Sequence, residues 1–253
     1  MNSNYSFTYI IGYRHSLERL QNLRRVLDWI NGFKGVEVLL IEQDTHSKIS
    51  HINLKAKHIF IKSNMPYNRS WSFNVAMKIA NSNVLVFGDS DIIIEPNLFI
   101  SGLNALKTHD MVSPYNSVID LTQQESNLPL ENIIKIDRPG RGENDNQKIN
   151  ICGGVSMFNL EAIQKIGGWN EDFWDWGGED DYQSLKVKNF LTWTELPGRC
   201  FHLYHNRVQP DPKYYQRNLQ ILKESSTLSK EQLQKVILIQ TSKIGWKNKC
   251  SNF

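Results

Sequence analysis

The chain has 253 residues, enough for one large domain or two small ones, and its 40% apolar and 22% charged content is that of an ordinary globular protein. Its 29 basic and 26 acidic residues leave a formal net charge of +3, too weak to bind nucleic acid through bulk electrostatics. No apolar run approaches the length of a membrane span, and residues 1–5 carry neither the charge nor the apolar core of a secretory signal. Three widely spaced cysteines, Cys152, Cys200 and Cys250, form no C-x-x-C pair and read as free thiols in a reducing compartment.

Residues 6–12 read as a first strand. Ser16 is placed to cap a helix that carries Leu17, Leu20, Leu23, Leu27 and Ile30 at three- and four-residue steps and stops at Gly32. Residues 36–42 form a continuous apolar strand, the pattern of one covered on both faces, and 58–62 a shorter third. A helix with Trp71, Val75 and Ile79 on one face follows. Then residues 84–87 form a fourth strand that runs straight into Gly88-Asp89-Ser90-Asp91. Pro96 opens a helix with Leu98, Phe99, Leu103 and Leu106 inward, and 111–113 is a short strand. This alternation predicts an α/β fold with a parallel sheet, whose ligands bind at the carboxyl ends of the strands. Gly12-Tyr13-Arg14 and Asp89-Ser90-Asp91 fall there.

Residues 116–150 are polar and read as an irregular excursion. Order is expected to return with a strand at 152–158, a helix at 160–166, a helix ending near Phe190, a strand at 191–195 and the segment 199–205. Asp211-Pro212 suits the start of a helix bearing Tyr215, Leu219 and Leu222. Ser229-x-x-Gln232 is a capping box for a last helix with Leu233, Val236 and Ile237 inward. The basic end, residues 243–253 with Trp246, reads as a frayed tail or as a contact with an anionic membrane surface.

Chemistry concentrates in three places. Residues 168–181 hold Trp169, Trp174 and Trp176, the pair Gly177-Gly178, and Glu179-Asp180-Asp181. Aromatic faces stack on sugars, glycines permit a hinge, and carboxylates bind hydroxyls or take a proton; an acidic helix start accounts for the carboxylates equally well. Asp89-Ser90-Asp91 offers hard oxygens at a strand end, suited to Mg2+ or Mn2+ and a diphosphate, although D-x-D alone also occurs as a solvated turn. His202 and His205 lie three apart, on one face if helical and needing a bend if extended. Two imidazoles with Asp91 shift the preference toward Mn2+; a zinc site without nucleotide is the alternative.

Together these stretches resemble the β-1,4-galactosyltransferases and, more broadly, bacterial and viral transferases of families 2 and 7. Tyr67-Asn68-Arg69 with Asn74-Val75 resembles F-N-R-x-x-x-x-N-V-G, and Phe87-Gly88-Asp89-Ser90-Asp91-Ile92 resembles F-x-D-V-D-L. Gly153-Gly154-Val155-Ser156 resembles G-G-V-S, and residues 168–181 resemble G-F-x-x-x-Y-W-G-W-G-G-E-D-D. Gly198-Arg199-Cys200, with His205 five residues on, resembles G-R-C-x-M-x-x-H, and Ile11-Gly12-Tyr13-Arg14 resembles I-P-F-R with Gly for Pro. The motifs keep the family's order over roughly residues 10–215.

The resemblance implies a GT-A fold in a single domain: a nucleotide-sugar half (1–113), an acceptor and metal half (151–225), and a C-terminal helix and tail (226–253). It implies an inverting transferase using Mn2+, with Mg2+ as the alternative, and a UDP-sugar of galactose or N-acetylgalactosamine. The acceptor would be a glycan or a lipid-linked sugar. By motif position, Asp91, His202 and His205 would hold the metal. Tyr13, Arg14, Tyr67, Arg69, Asp89 and Ser90 would bind the nucleotide. Asp180 would be the general base, and Glu179, Asp181 and Gly154 would face the acceptor. Trp176 would cover both substrates from a mobile loop, and residues 203–213 are a second lid candidate. Ile151 stands where galactose users carry Tyr, which implies room for an N-acetyl group. No anchor or stem matches, so the expectation is a bacterial or viral cytoplasmic enzyme of surface polysaccharide synthesis, with peripheral contact at a membrane's inner face as the variant. The competing classes are a nucleotidyltransferase, a sugar-nucleotide hydrolase and a non-catalytic sugar-binding module.

Overall fold

The computed structural model describes residues 6–143, 149–206 and 209–246. In chain order the elements are β1 (Phe7–Tyr13), α1 (Leu17–Ile30), β2 (Val36–Asp44), β3 (Lys57–Lys62), α2 (Arg69–Met77), β4 (Val84–Gly88), β5 (Ile92–Ile94), α3 (Pro96–Ala105), β6 (Met111–Ser113) and β7 (Ser117–Asp120). They continue with α4 (Gln123–Ser126), α5 (Leu130–Ile133), β8 (Val155–Asn159), α6 (Leu160–Lys165), α7 (Glu179–Phe190), β9 (Trp193–Glu195), β10 (Arg199–His202), α8 (Pro212–Ser226) and α9 (Lys230–Thr241). Among the described residues, seven strands form a sheet in the order β3-β2-β1-β4-β8-β6-β9 and three form a second, β5-β10-β7.

The first four strands of the large sheet are parallel as expected, but β8 runs antiparallel to both β4 and β6, so the sheet is mixed. Alternation along β1 divides the core. Phe7, Tyr9, Ile11 and Tyr13 face α1 and α3, while Ile10 faces the side covered by α2, α6 and α7.

Local chemistry fixes the helix starts. The Ser16 side chain accepts from Arg19 N, Asn68 from Trp71 N and Asp211 from Lys213 N, and both Thr122 and Ser229 close capping boxes. α7 differs. It has no side-chain cap, starts from Gly178 at φ +88°, and carries Glu179, Asp180 and Asp181 in its first turn, where the helix dipole favours carboxylates.

Several expectations are corrected. The stretch 116–150 is ordered for much of its length: it supplies β7 and two one-turn helices, and residue 141 bridges to Val118. The strand expected at 152–158 begins only at Val155, after a turn. α2 ends before Ile79. Leu17 and Leu219, part of the leucine spacing that marked their helices, are exposed, because each helix buries a narrower stripe than that spacing spans. The tail beyond Trp246 lies outside the described residues. No described helix is long and apolar enough to cross a membrane.

Candidate active site

The small sheet assembles a cluster of three side chains that could hold a metal ion. β10 pairs antiparallel with β5, setting His202 opposite Ile92, and parallel with β7, setting His202 opposite Asp120. Asp91 immediately precedes β5, and its carbonyl accepts from Leu203 N at 2.8 Å. The chain leaves the strand after His202, which supplies the bend that brings His205 back to the same point. Ligand atoms of Asp91, His202 and His205 all lie within 4.8 Å of one another. His202 Nε2 is 3.8 Å from Asp91 Oδ1, and His205 Nε2 is 3.4 Å from Asp91 Oδ2.

Both imidazoles face inward through the same nitrogen. His202 Nδ1 is 2.9 Å from Asp120 Oδ1, and His205 Nδ1 is 3.0 Å from the Asn206 carbonyl oxygen. These partners are oxygen acceptors, so each Nδ1 donates a proton to them and each ring turns its Nε2 toward Asp91. Burial lowers the His202 pKa, but the Asp120 hydrogen bond and the Asp91 charge outweigh it and the net shift is upward. The hydrogen bond from His202, then the one from Arg141, hold Asp120 well below the usual carboxylate range.

A second cluster joins this centre to α7. Arg69, at the first position of α2, is buried over the rings of Phe73 and Trp169, with its Cζ 4.8 and 5.4 Å from their centroids. Its Nε donates to Asp89 Oδ1 at 2.7 Å and its Nη1 to Asp180 Oδ1. The remaining nitrogen, Nη2, is buried with no hydrogen-bond partner among the described residues. Asp180 keeps 25% of its side chain exposed, enough for a substrate hydroxyl to reach it. Burial pushes its pKa up to about 7, against the pull of Arg69. Burial likewise raises Asp89 and Glu179.

Both clusters open on one cleft of about 750 Å³, whose walls include Asp89, Asp180, His202, His205, Gly154 and Trp176. Gly154 adopts φ +68°, and a Cβ there would stand 2.3 Å from the Tyr115 hydroxyl. That hydroxyl donates to Gly153 O and accepts from Val155 N, both at 2.8 Å. Gly154→Ala therefore combines a left-handed backbone with a displaced buried hydroxyl. It is expected to lose roughly 2–4 kcal/mol in denaturant unfolding; an unchanged midpoint contradicts this packing.

Trp176 stands 62% exposed at the cleft edge, stacked on Tyr215 at 5.9 Å between centroids and 23° between planes. It lies between Asp175 at φ +63° and Gly177-Gly178 at +105° and +88°. Left-handed positions at 175, 177 and 178 therefore flank one exposed indole on both sides. Of the second lid candidate, residues 207 and 208 lie outside the described residues.

Other residues expected from the motifs sit elsewhere. The Tyr13 ring is buried in the α1-side core, with its hydroxyl 3.1 Å from His15 Nδ1. Arg14 donates to Gln43 O at 2.9 Å and Met65 O at 2.8 Å, so its guanidinium ties the end of β2 to the segment before α2. Tyr67 is half-buried near that guanidinium, its ring centroid 6.0 Å from Cζ. Ser90 is buried, and Asp181 is exposed and outside the cleft lining. Glu179 is half-buried and also outside it. Ile151 is 6% exposed, packs into the α2-side core and is not part of the cleft lining. The turn at 151–154 points it inward, and Ile149 and Asn150 reach the cleft instead.

The structure adds residues the sequence did not mark: Asp120 and Arg141 behind His202, Tyr115 behind Gly154, Tyr215 under Trp176, and Arg19 on the cleft wall. Arg19 follows the Ser16 cap by one turn and has no carboxylate partner among the described residues. Leu-based periodicity marked α1 as a helix; it could not show that its first turn borders a cleft.

This arrangement is that of a GT-A glycosyltransferase fold, α/β with a mostly parallel mixed sheet. A crystal structure of GalNAc-T7 with UDP, GalNAc and Mn2+ superposes with a TM-score of 0.61 at 14% identity, covering 100% of this chain and 57% of that one. A complex of a Drosophila β-1,4-galactosyltransferase 7 mutant with manganese, UDP-Gal and xylobiose gives 0.50 at 14% identity, covering 80% and 72%. In sequence the chain is galactosyltransferase-like: a family model described as the N-terminal domain of galactosyltransferase matches residues 144–206. Beta-1,4-galactosyltransferase 5 of Danio rerio is 30% identical over 122 residues, 47% of this chain. The alignment spans only 26% of that relative's own length.

Proposed function

We propose that this chain is a metal-dependent, inverting glycosyltransferase that moves a hexosyl group from a UDP-sugar to a hydroxyl of a glycan acceptor. Galactose or N-acetylgalactosamine is favoured by the likeness to galactosyltransferases and to the GalNAc-T7 structure. The observation that carries the reading is the Arg69 bridge. It links Asp89, beside the metal-ligand trio, to Asp180, the one α7 carboxylate on the cleft wall. A nucleotidyltransferase or a hydrolase needs neither this coupling nor a tryptophan flap.

The donor set fits a divalent cation. One carboxylate and two imidazoles, each presenting a free nitrogen lone pair, suit Mn2+ better than Mg2+, and the adjoining open cleft leaves room for further ligands. Bound at Asp91, His202 and His205, such a cation supplies positive charge against the diphosphate leaving group.

The chain's own residues account for the remaining chemistry. The acceptor hydroxyl is a poor nucleophile until Asp180 takes its proton. A bond then forms from the acceptor oxygen to the anomeric carbon as the bond from that carbon to the UDP oxygen breaks, which inverts the configuration. Arg69, donating to Asp89 and to Asp180, holds the Asp180 carboxylate in place on the cleft wall. The Arg19 guanidinium, without a carboxylate partner among the described residues, gives the cleft wall a cation for an anionic donor. Trp176 closing over the donor would exclude water, which otherwise competes with the acceptor.

A pH profile tests this assignment. The base works only when deprotonated, and Asp180 has a raised pKa of about 7 rather than a usual carboxylate value. Below that value the protonated, inactive form dominates, so kcat/KM for transfer should rise about tenfold per pH unit up to about 7 and then level. Transfer that stays constant down to pH 5 excludes Asp180 as the base.

A further inference from the structure

His202 can serve the metal-ligand cluster only if its ring presents Nε2, with the proton held on Nδ1. We propose that Asp120, locked by Arg141, is the positioning residue that sets the tautomer and orientation of His202 and thereby the site's affinity for a divalent cation. This rests on the metal reading above and extends it to a stretch outside every motif of the sequence.

The sheet register places Asp120 directly beside His202, and Oδ1 accepts from Nδ1 at 2.9 Å. Arg141 grips the other side of the carboxylate, with Nε 2.7 Å from Oδ2 and Nη2 3.1 Å from Oδ1. Arg141 is fixed in turn by its backbone, which exchanges hydrogen bonds with Val118 at 2.8 and 2.9 Å. The glycines on either side permit that approach. A Cβ at Gly140 would lie 2.6 Å from Val118 O, and one at Gly142 would lie 2.3 Å from Asn116 O. Arg138 secures the same strand end by donating to Asp120 O at 2.7 Å.

Each layer therefore has a physical task. The glycines let residues 140–142 lie against β7, the bridge aims Arg141, the fork fixes the carboxylate plane, and the carboxylate orients the imidazole. A carboxylate acceptor keeps the proton on Nδ1, stops ring rotation and makes Nε2 a better ligand. Without it, a neutral imidazole would divide between tautomers and orientations, and part of the population would turn an N–H toward Asp91.

The test is Mn2+ affinity of the full chain without nucleotide, read from the free-ion electron paramagnetic resonance signal. Asp120→Ala should weaken binding about ten- to a hundredfold with the circular dichroism spectrum unchanged. In a His202→Ala background the same substitution should cause no further loss. Nitrogen-15 spectra of the imidazoles should show the Nδ1–H form of His202 in the wild type and a mixture in Asp120→Ala. Should the alanine variant fail to fold, Asp120→Asn carries the test: its weaker acceptor lowers affinity by a smaller factor, again only with His202 present. Wild-type affinity in the Asp120 variants, or an equal loss without His202, overturns the proposal and leaves the metal reading standing. A wild-type chain that binds no Mn2+ contradicts both.

Discussion

Asp180→Asn is expected to fold, to bind Mn2+ and UDP as the wild type does, and to transfer sugar roughly a hundred- to ten-thousandfold more slowly. The amide oxygen can still accept from Arg69, and Arg69 remains paired with Asp89, so the local scaffold survives. What the amide cannot do is take a proton. The acid limb of the pH profile should vanish along with the rate, since the group that produces it no longer titrates. Glu179→Gln gives the control one residue away: Glu179 lies outside the cleft lining and should matter much less. A near-normal turnover for Asp180→Asn would remove Asp180 from the mechanism. A loss of Mn2+ binding would instead mean that base and metal ligands had been misassigned.

Arg69→Leu should be the most destabilising single change near the site. It leaves Asp89 and Asp180 facing each other without their shared cation, and breaking a buried ion pair costs about 3–5 kcal/mol. The lower end applies, because Asp89 keeps 35% and Asp180 25% of its side chain exposed. For a chain of this size that is a fall in melting temperature on the order of 10 °C. The deficit should grow between pH 5 and pH 8. At low pH a protonated Asp180 relieves the uncompensated charge, and at high pH both carboxylates are forced to ionise. Asp180→Asn introduced into Arg69→Leu should recover part of the loss, a coupling measurable as a double-mutant cycle. Thermal unfolding equal to wild type across that range would show that the bridge contributes nothing to the fold.

Much of the frame was legible in the sequence because its signals are local. Ser16, Asp211 and Ser229 each satisfy a helix N–H within three residues of themselves, so the pattern alone locates those helix starts. The motifs pointed to Asp91, His202, His205 and Asp180; the fold clusters the first three and sets both histidines and Asp180 on one cleft. What escaped depends on pairings distant in sequence. β7 is four residues long and gains its meaning only beside β10, some eighty residues later, so Asp120 looked like one more residue in a polar stretch. Arg69 was read as a nucleotide-pocket residue, and only the approach of α7 to α2 turns it into a bridge. Tyr13 and Ile151 lie in the core and outside the cleft lining for a different reason: motif position says nothing about which way a side chain points. The alternation that buries Phe7, Tyr9 and Ile11 also buries Tyr13, and the turn before β8 buries Ile151.

The most direct measurement of the central claim is UDP release by the purified chain, with Mn2+, a panel of UDP-sugars, and glycan acceptors added or withheld. The expected result is release with at least one donor, stimulated by acceptor, abolished by chelation and restored by Mn2+, with a product whose new glycosidic bond has the opposite anomeric configuration to the donor. No release from any donor, or a product of retained configuration, would contradict it.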